Sequence, residues 1–256
     1  MRGFGVFLGK ELTETVRTWR LYVIPGILLA IGLMSPILAE VTPSLVGSML
    51  DSAGSGIVIE IPPATTVDAY LQFSKNAMQI ALIAVIIATA GAVAGERRSG
   101  TAQLVLAKPL SRTAMIVAKA VSNWLLLLAS VAVAAAVCVG VTLIIFDDAH
   151  IVRFVAWAAL WWVLAAFIVA VVVCFSIIVR SQAGAAGLGI GVYFAMSVGS
   201  LWEWARDHTP IGLFSAGDRI LTGAADVSWA WPVVSAVLGA AALVAIGAAV
   251  FSRQEV

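Results

Sequence analysis

Six stretches of this chain run for about twenty residues or more without a charged side chain, and this limits the fold more than any motif does. They cover 21–39, 76–94, 120–146, 154–179, 181–201 and 227–252. A helix rises 1.5 Å per residue, so roughly 20 residues cross the ~30 Å hydrocarbon core of a bilayer. Isolated strands would leave backbone groups unpaired in lipid, so each stretch is predicted to be a helix. The composition agrees: 62% of the residues are apolar and 11% charged, against roughly a quarter charged in a soluble domain. The expected fold is an all-α integral membrane protein, one transmembrane domain over residues 1–256 with six transmembrane helices. The first twenty residues are polar and amphipathic, unlike a cleavable signal peptide.

Net charge is only +1, but its distribution orients the chain. Six crossings put both termini on one side, with Arg2, Lys10, Arg17, Arg20, Arg97, Arg98, Lys108, Arg112, Lys119, Arg180 and Arg253. The other side keeps Lys75, Arg153, Arg206 and Arg219. Lys and Arg gather in cytoplasmic loops, so both termini are expected in the cytoplasm. Trp19 falls at the inner boundary and Trp202, Trp204, Trp229 and Trp231 at the outer one, where amphipathic rings prefer to sit. Trp157, Trp161 and Trp162 lie deeper in the fourth stretch and are expected to pack against helices or lipid. Cys138 and Cys174 both fall inside spans and read as small buried hydrophobes, not as a disulfide.

Residues 1–20 have a helical period: Phe4, Leu8, Leu12 and Val16 share one face, Lys10, Glu14 and Arg17 another. Such a helix lies flat in the membrane interface; as a mere anchor or as a contact for a partner, it stands equally well at this point. Outside, residues 40–74 form the one long loop, with Pro43, a Gly/Ser-rich patch at 52–56, an alternating 57–61 and Pro62-Pro63. It reads as a short amphipathic element followed by a break. The loop 202–226 is polar at both ends.

The remaining polar segment, Gly95 to Arg112, is short and basic and sits between two uncharged runs. It presents soluble-looking residues to something in the water. Motifs for chemistry are absent: no phosphate-binding Gly-x-x-x-x-Gly-Lys, no His-Glu-x-x-His, no Gly-x-Ser-x-Gly. His150 beside Asp147 and Asp148 lacks further matched ligands and reads as a solvated loop, so no metal site is expected. Acids are missing from the six stretches, which argues against a proton- or sodium-coupled pump.

Several segments resemble the permease subunits of ABC-2 type transporters. They are Gly9-Lys10-Glu11-Leu12 with Arg17-Thr18-Trp19-Arg20, then Ser35-Pro36, Pro43 and Phe73 to Gln79. Most specific is Glu96, Gly100-Thr101, Lys108-Pro109-Leu110-Ser111-Arg112 and Lys119, in that order. The resemblance implies an exporter driven by a separate ATPase subunit, which binds the ATP and magnesium, while this chain binds no cofactor and catalyses nothing. It implies a short cytoplasmic coupling helix within 96–113, with Glu96, Arg97, Gly100, Thr101, Leu104, Leu106, Pro109 and Arg112 facing the ATPase. Thr101 suits the cap of such a helix, Gly100 the turn into it, and Pro109 its end. It also makes the amino-terminal helix an ATPase contact, through Phe4, Leu8, Lys10, Glu11 and Leu12. A second permease subunit, identical or homologous, is implied, with a seam at Gly184, Gly187 and Gly191 in the fifth span; tight packing within one subunit explains those glycines equally well. The other partner is the lipid bilayer of a bacterial inner membrane, and no nucleic acid is expected.

Two other functions stay open: a non-transporting complex of the same type in signalling or assembly, and an intramembrane lipid-modifying enzyme. The enzyme would need convergent polar groups, whereas Asn76, Gln79, Ser130 and Tyr193 are scattered along the sequence. An apolar path favours amphipathic or hydrophobic cargo over sugars or ions, and substrate identity is not encoded in any motif.

Overall fold

The computed structural model describes residues 4–52, 62–98, 112–146, 148–179 and 181–253. These residues form helices and no strand. In order they are α1 (Phe4–Arg17), α2 (Arg20–Ser52), α3 (Thr66–Asn76), a π-helical turn (Ala77–Ala81), α4 (Leu82–Arg98), α5 (Arg112–Ile145), α6 (Ile151–Ile178), α7 (Gln182–Gly199), α8 (Glu203–His208), a 3-10 turn (Pro210–Gly212), α9 (Leu213–Leu221) and α10 (Ala230–Arg253).

Among the described residues, five segments are long and apolar enough to cross a membrane: Leu21–Leu50, Thr66–Gly95, Thr113–Ile145, Ile151–Ile178 and Ala230–Arg253. The expected fifth span, 181–201, becomes α7 and is not among them: glycine, serine and Gln182 dilute its 18 residues. Its direction is nevertheless clear. Gly91 faces Gln182, Gly189 faces Ile86 and Val172, and the Tyr193 hydroxyl donates to the Met78 carbonyl. α7 therefore runs antiparallel to both α4 and α6. α10 runs parallel to α6, with Gly239 against Phe167 and Gly247 against Ile177. The chain thus returns between α6 and α10 along α7.

Helix ends differ from the sequence expectation at three places. The loop foreseen over residues 40–74 is helical at both ends. α2 continues through Pro25, Pro36 and Pro43 to Ser52, about 50 Å at 1.5 Å per residue. Its last turns carry exposed Leu45, Val46 and Met49. The second long helix starts at Thr66, ten residues before 76, because a capping box sets it. The Thr65 side chain accepts from the Asp68 N–H, and the Asp68 carboxylate accepts from the Thr65 N–H at 2.9 Å. The third begins at Arg112 rather than 120, which draws Lys119 out of the loop and into the bundle. The amphipathic stretch expected at 57–61 lies outside the described residues.

α6 is the hub. It packs on α4, α5, α7, α9 and α10, and its Phe154, Trp157 and Trp161 are buried among other spans. Trp162 is half-buried; its indole N–H donates to the Trp124 carbonyl, and Trp124 donates to the Ala166 carbonyl, both at 3.0 Å. Trp19, Trp202, Trp204, Trp229 and Trp231 are exposed near helix ends. Cys138 and Cys174 are free and buried. α2 approaches α5 closely: a Cβ on Gly32 would stand 2.6 Å from the Ala134 carbonyl oxygen, so only glycine fits. The lower end of the bundle holds α1, the ends of α4, α6 and α10, and the start of α5. The upper end holds the starts of α3, α6 and α10, with α9 packed on α6 and α3 and α8 on α10.

Candidate functional site

At the lower end, α4 and α5 bracket the 99–111 segment. Gly100, Thr101, Leu104, Leu106, Pro109 and the expected coupling helix lie outside the described residues. Glu96, Arg97 and Arg112 continue the helical backbone of α4 and α5, and their side chains lie outside the description as well. The last turns of α4 are gripped from two sides. The Ser176 hydroxyl of α6 donates to the Ala90 carbonyl at 2.7 Å and accepts from the Val93 and Ala94 N–H groups at 3.1 and 3.0 Å. A Cβ on Gly91 would press within 3.0 Å of the Gln182 amide of α7. Backbone groups in a lipid-embedded helix must be satisfied, and a serine inserted at the ladder's end does so while tying two helices together.

α1 packs on α5 through a face that shares Phe4 and Leu8 with the expected stripe. Phe7 and Glu11 are buried and Phe4 and Leu8 half-buried, an i, i+3, i+4, i+7 set; Leu12 and Val16 point outward. Glu11 is 6% exposed and Lys119 3%. The Lys119 ammonium donates to both carboxylate oxygens, at 3.1 and 3.2 Å. Lys10 adds a second ammonium 3.0 Å from Glu11 Oε1, bridges to Glu14 at 2.6 Å and lies over the Phe7 ring. Asn123 Nδ2 and Ser122 Oγ donate to the Lys119 carbonyl at 2.7 and 3.1 Å. Desolvating two charges costs about as much as their attraction returns. The pair therefore contributes little net stability while permitting a single register between α1 and α5. Sequence reasoning placed Lys119 among loop cations. The signal that could have found it is its position one residue before an uncharged run that an earlier helix start would carry inward.

On α7, Gly187 and Gly191 are exposed, with nothing within 4 Å of a Cβ built on either. Gly184 is turned back on its own subunit, where a Cβ would meet Val179 at 2.8 Å. Gly189, on the inner face, is pressed between Ile86 and Val172, each 2.8 Å from such a Cβ. The helix thus has one glycine face for its own bundle and another left open.

The upper end has its own constellation. Trp157 Nε1 of α6 donates to the Ser74 hydroxyl of α3 at 2.8 Å, and Ser74 donates in turn to the Asp218 carboxylate of α9. Burial raises the Asp218 carboxyl above its ordinary value near 3.8; the bonds from Ser74 and Trp157 and the nearby Lys75 charge act against that shift. Gly217 lets α9 approach: a Cβ there would stand 2.5 Å from the Trp157 ring. Tyr70, Phe154 and Trp157 stack in sequence, with Phe73 edge-on. Beside this, a cavity of about 280 Å³ between α2 and α3 is lined by Thr42, Pro43, Asp68, Gln72 and Lys75 among others. The π-turn leaves Gln79 exposed and Asn76 half-buried. Tyr193 and Ser130 are instead committed to the carbonyls of Met78 and Leu126, so the four polar residues do not converge. No local pattern hints at the Ser74–Asp218 pairing, since 144 residues separate the two.

These features meet comparisons with known proteins. The chain is 27% identical over 225 residues to YxlG of Bacillus subtilis (strain 168), an uncharacterized transmembrane protein, covering 86% of each chain. Residues 6–203 match the profile described as ABC-2 family transporter protein, a stretch from α1 into α8 that takes in the 95–112 loop. With five helices able to span a bilayer and this match over most of its length, the chain belongs to the ABC-2 family of transporter membrane proteins.

Proposed function

We propose that this chain is the permease subunit of an ATP-driven exporter. It forms the path across the bilayer and couples to a separate ATPase through the 95–112 loop and α1. The observation that carries this is the family match over residues 6–203, which includes α1, the loop and α7 together. The lower end supports it, because the helices flanking the loop are tied there to α1 and α6 by specific polar contacts and to α7 by a close approach at Gly91.

In this reading α7 is the sixth crossing, since the parallel course of α6 and α10 requires a return between them. Both termini then face the cytoplasm of a bacterial cell, as the distribution of Lys and Arg favours. α1 lies in the inner interface, Leu12 and Val16 toward lipid and Phe4, Phe7, Leu8 and Glu11 toward the bundle. ATP and magnesium bind the partner, and this chain supplies no catalytic group. Two permease subunits meet through the open face of α7 at Gly187 and Gly191, where backbones approach closely. Glu96, Arg97, Gly100, Thr101, Leu104, Leu106, Pro109 and Arg112 form the docking surface for the ATPase. Cargo is amphipathic or apolar.

The test is a pull-down of the tagged protein in mild detergent, with the eluate assayed for ATP hydrolysis. The wild type is expected to retain an ATPase, and the variant Glu96→Ala with Leu104→Asp to lose it while remaining folded. A stable wild-type chain that retains no ATPase in any detergent or nucleotide state ends the permease proposal.

A further inference from the structure

We propose that Glu11 and Lys119 are positioning residues that carry displacement of the 95–112 loop through α1 into α2. The inference rests on the permease reading, because it takes the loop as the place where an ATPase acts.

The chain's path supplies the mechanism. α5 emerges from the loop at Arg112, and Lys119 lies about two turns further on. It therefore moves with whatever moves the start of α5. The turn around it is stiffened by Asn123 and Ser122, which both bond its carbonyl. Its ammonium holds both oxygens of Glu11, and both side chains are buried. An apolar contact can slide by small steps, whereas a buried two-pronged pair has one register and cannot trade its bonds for water on the way. α1 must then follow α5.

α1 ends at Arg17 and α2 begins at Arg20, and hydrogen bonds brace the turn between them. Leu21 N–H donates to Thr18, and Tyr22 and Val23 N–H donate to Trp19, at 3.0–3.2 Å. A shift of α1 therefore reorients the start of α2. α2 continues unbroken to Ser52, so the shift reaches the far end of a lever 33 residues long.

Ser44, exposed on the upper extension of α2, offers a place to detect the movement. Cys138 and Cys174 would be replaced by alanine, Ser44→Cys introduced, and the protein reconstituted in proteoliposomes with its co-purifying ATPase. Labelling by a membrane-impermeant maleimide is then followed with and without ATP plus vanadate. In the otherwise wild-type complex the labelling rate is expected to change with nucleotide. Lys119→Gln should keep the ATPase bound and hydrolysing but lose that change, and the exchange Glu11→Lys with Lys119→Glu should restore it. A merely structural pair would fail on assembly or hydrolysis instead. The inference is overturned if Lys119→Gln responds like the wild type, or if the exchanged pair assembles yet stays unresponsive. It is overturned too if the assembled wild type labels at one rate in every nucleotide state. Should Lys119→Gln not fold, the exchanged pair decides alone. A wild type with no ATPase sinks the permease reading itself, which is a separate outcome.

Discussion

The two ends of this bundle attach peripheral helices to the same core in different ways. At the lower end, α1 is held on α5 by a full ion pair, Glu11 with Lys119, both buried. At the upper end, α9 is held on α3 and α6 by a relay of hydrogen bonds from Trp157 through Ser74 to Asp218, beside stacked aromatic rings. Removing Lys119 takes the two-pronged donor from the buried Glu11 carboxylate, which keeps Lys10 3.0 Å from one oxygen. Removing the acid of the upper relay strands only a neutral hydroxyl, and that acid can also take up a proton in place. The lower link suits transmission of a movement without loss, and the upper one suits release.

The largest effect should therefore come from the lower end. Lys119→Met alone leaves the Glu11 carboxylate without its bidentate partner and should cost about 3 kcal/mol, the low end for a broken buried pair because Lys10 still meets one oxygen. Adding Glu11→Leu in the same chain should recover most of that loss, since an apolar pair of similar size is often neutral or better. Thermal unfolding in detergent, followed by tryptophan fluorescence, reads both. Equal stability of the single and double variants would show that the buried charge carries no penalty, and the contrast between the ends would collapse.

At the upper end Gly217→Leu should cost about 1–3 kcal/mol, the usual penalty for overpacking, because its first side-chain carbon already meets the Trp157 ring. Asp218→Leu belongs in the same range, since it leaves the Ser74 hydroxyl without its acceptor. Hydrogen exchange resolves where the cost falls: faster exchange is expected across α9 and the 222–229 segment, with α1 unchanged. Exchange rising equally in α1 would mean that the two ends are not independent.

A smaller effect follows from pH. The folded Asp218 carboxyl is raised above its ordinary value near 3.8, mainly by burial. Between the ordinary and the raised value the folded state holds more protons than the unfolded one. Its contribution is thus fully present below the ordinary value and is lost as pH rises through the folded one. Asp218→Asn, which still accepts from Ser74, should flatten that slope and leave the rest of the stability curve in place. Denaturation midpoints collected across the acidic range would show it. A wild type whose stability climbs with pH there would mean that Lys75, Ser74 and Trp157 outweigh burial.

Much of the fold was legible because hydrocarbon length and charge exclusion act on every residue of a span. Uncharged runs located the helices that carry the five long spans, and Trp157 and Trp161 proved to be packing residues. Helix ends were less legible. The uncharged run put the end of the first span at 39, before Glu40, yet α2 runs on through Pro43, whose missing N–H costs the ladder a single bond, that to the Ala39 carbonyl. The Thr65–Asp68 capping box was visible in the sequence and passed over, and with it the early start at Thr66. Periodicity found α1 and two residues of its packing face, Phe4 and Leu8, but not Glu11, because a charged residue does not count as an inward one. What binds Glu11 lies 108 residues away and Asp218 pairs across 144, and no local pattern reports such pairings.

The smallest expected effect on folding is the most informative about assembly. Gly187→Leu places a side chain where nothing lies within 4 Å, so subunit stability should shift by no more than about 0.5 kcal/mol. Gly189→Leu, two residues away on the opposite face, drives into Ile86 and Val172 and should cost about 1–3 kcal/mol. The pair separates two meanings of a glycine-rich helix that composition alone cannot. If Gly187 faces a second subunit, its replacement should weaken dimer crosslinking in membranes while unfolding stays as in the wild type, and Gly189→Leu should show the reverse priority. Unchanged crosslinking with Gly187→Leu would leave α7 facing lipid at that position. The dimer would then have to form elsewhere on the bundle, while the lower link from α5 through α1 to α2 would stand as before, because it is built within one subunit.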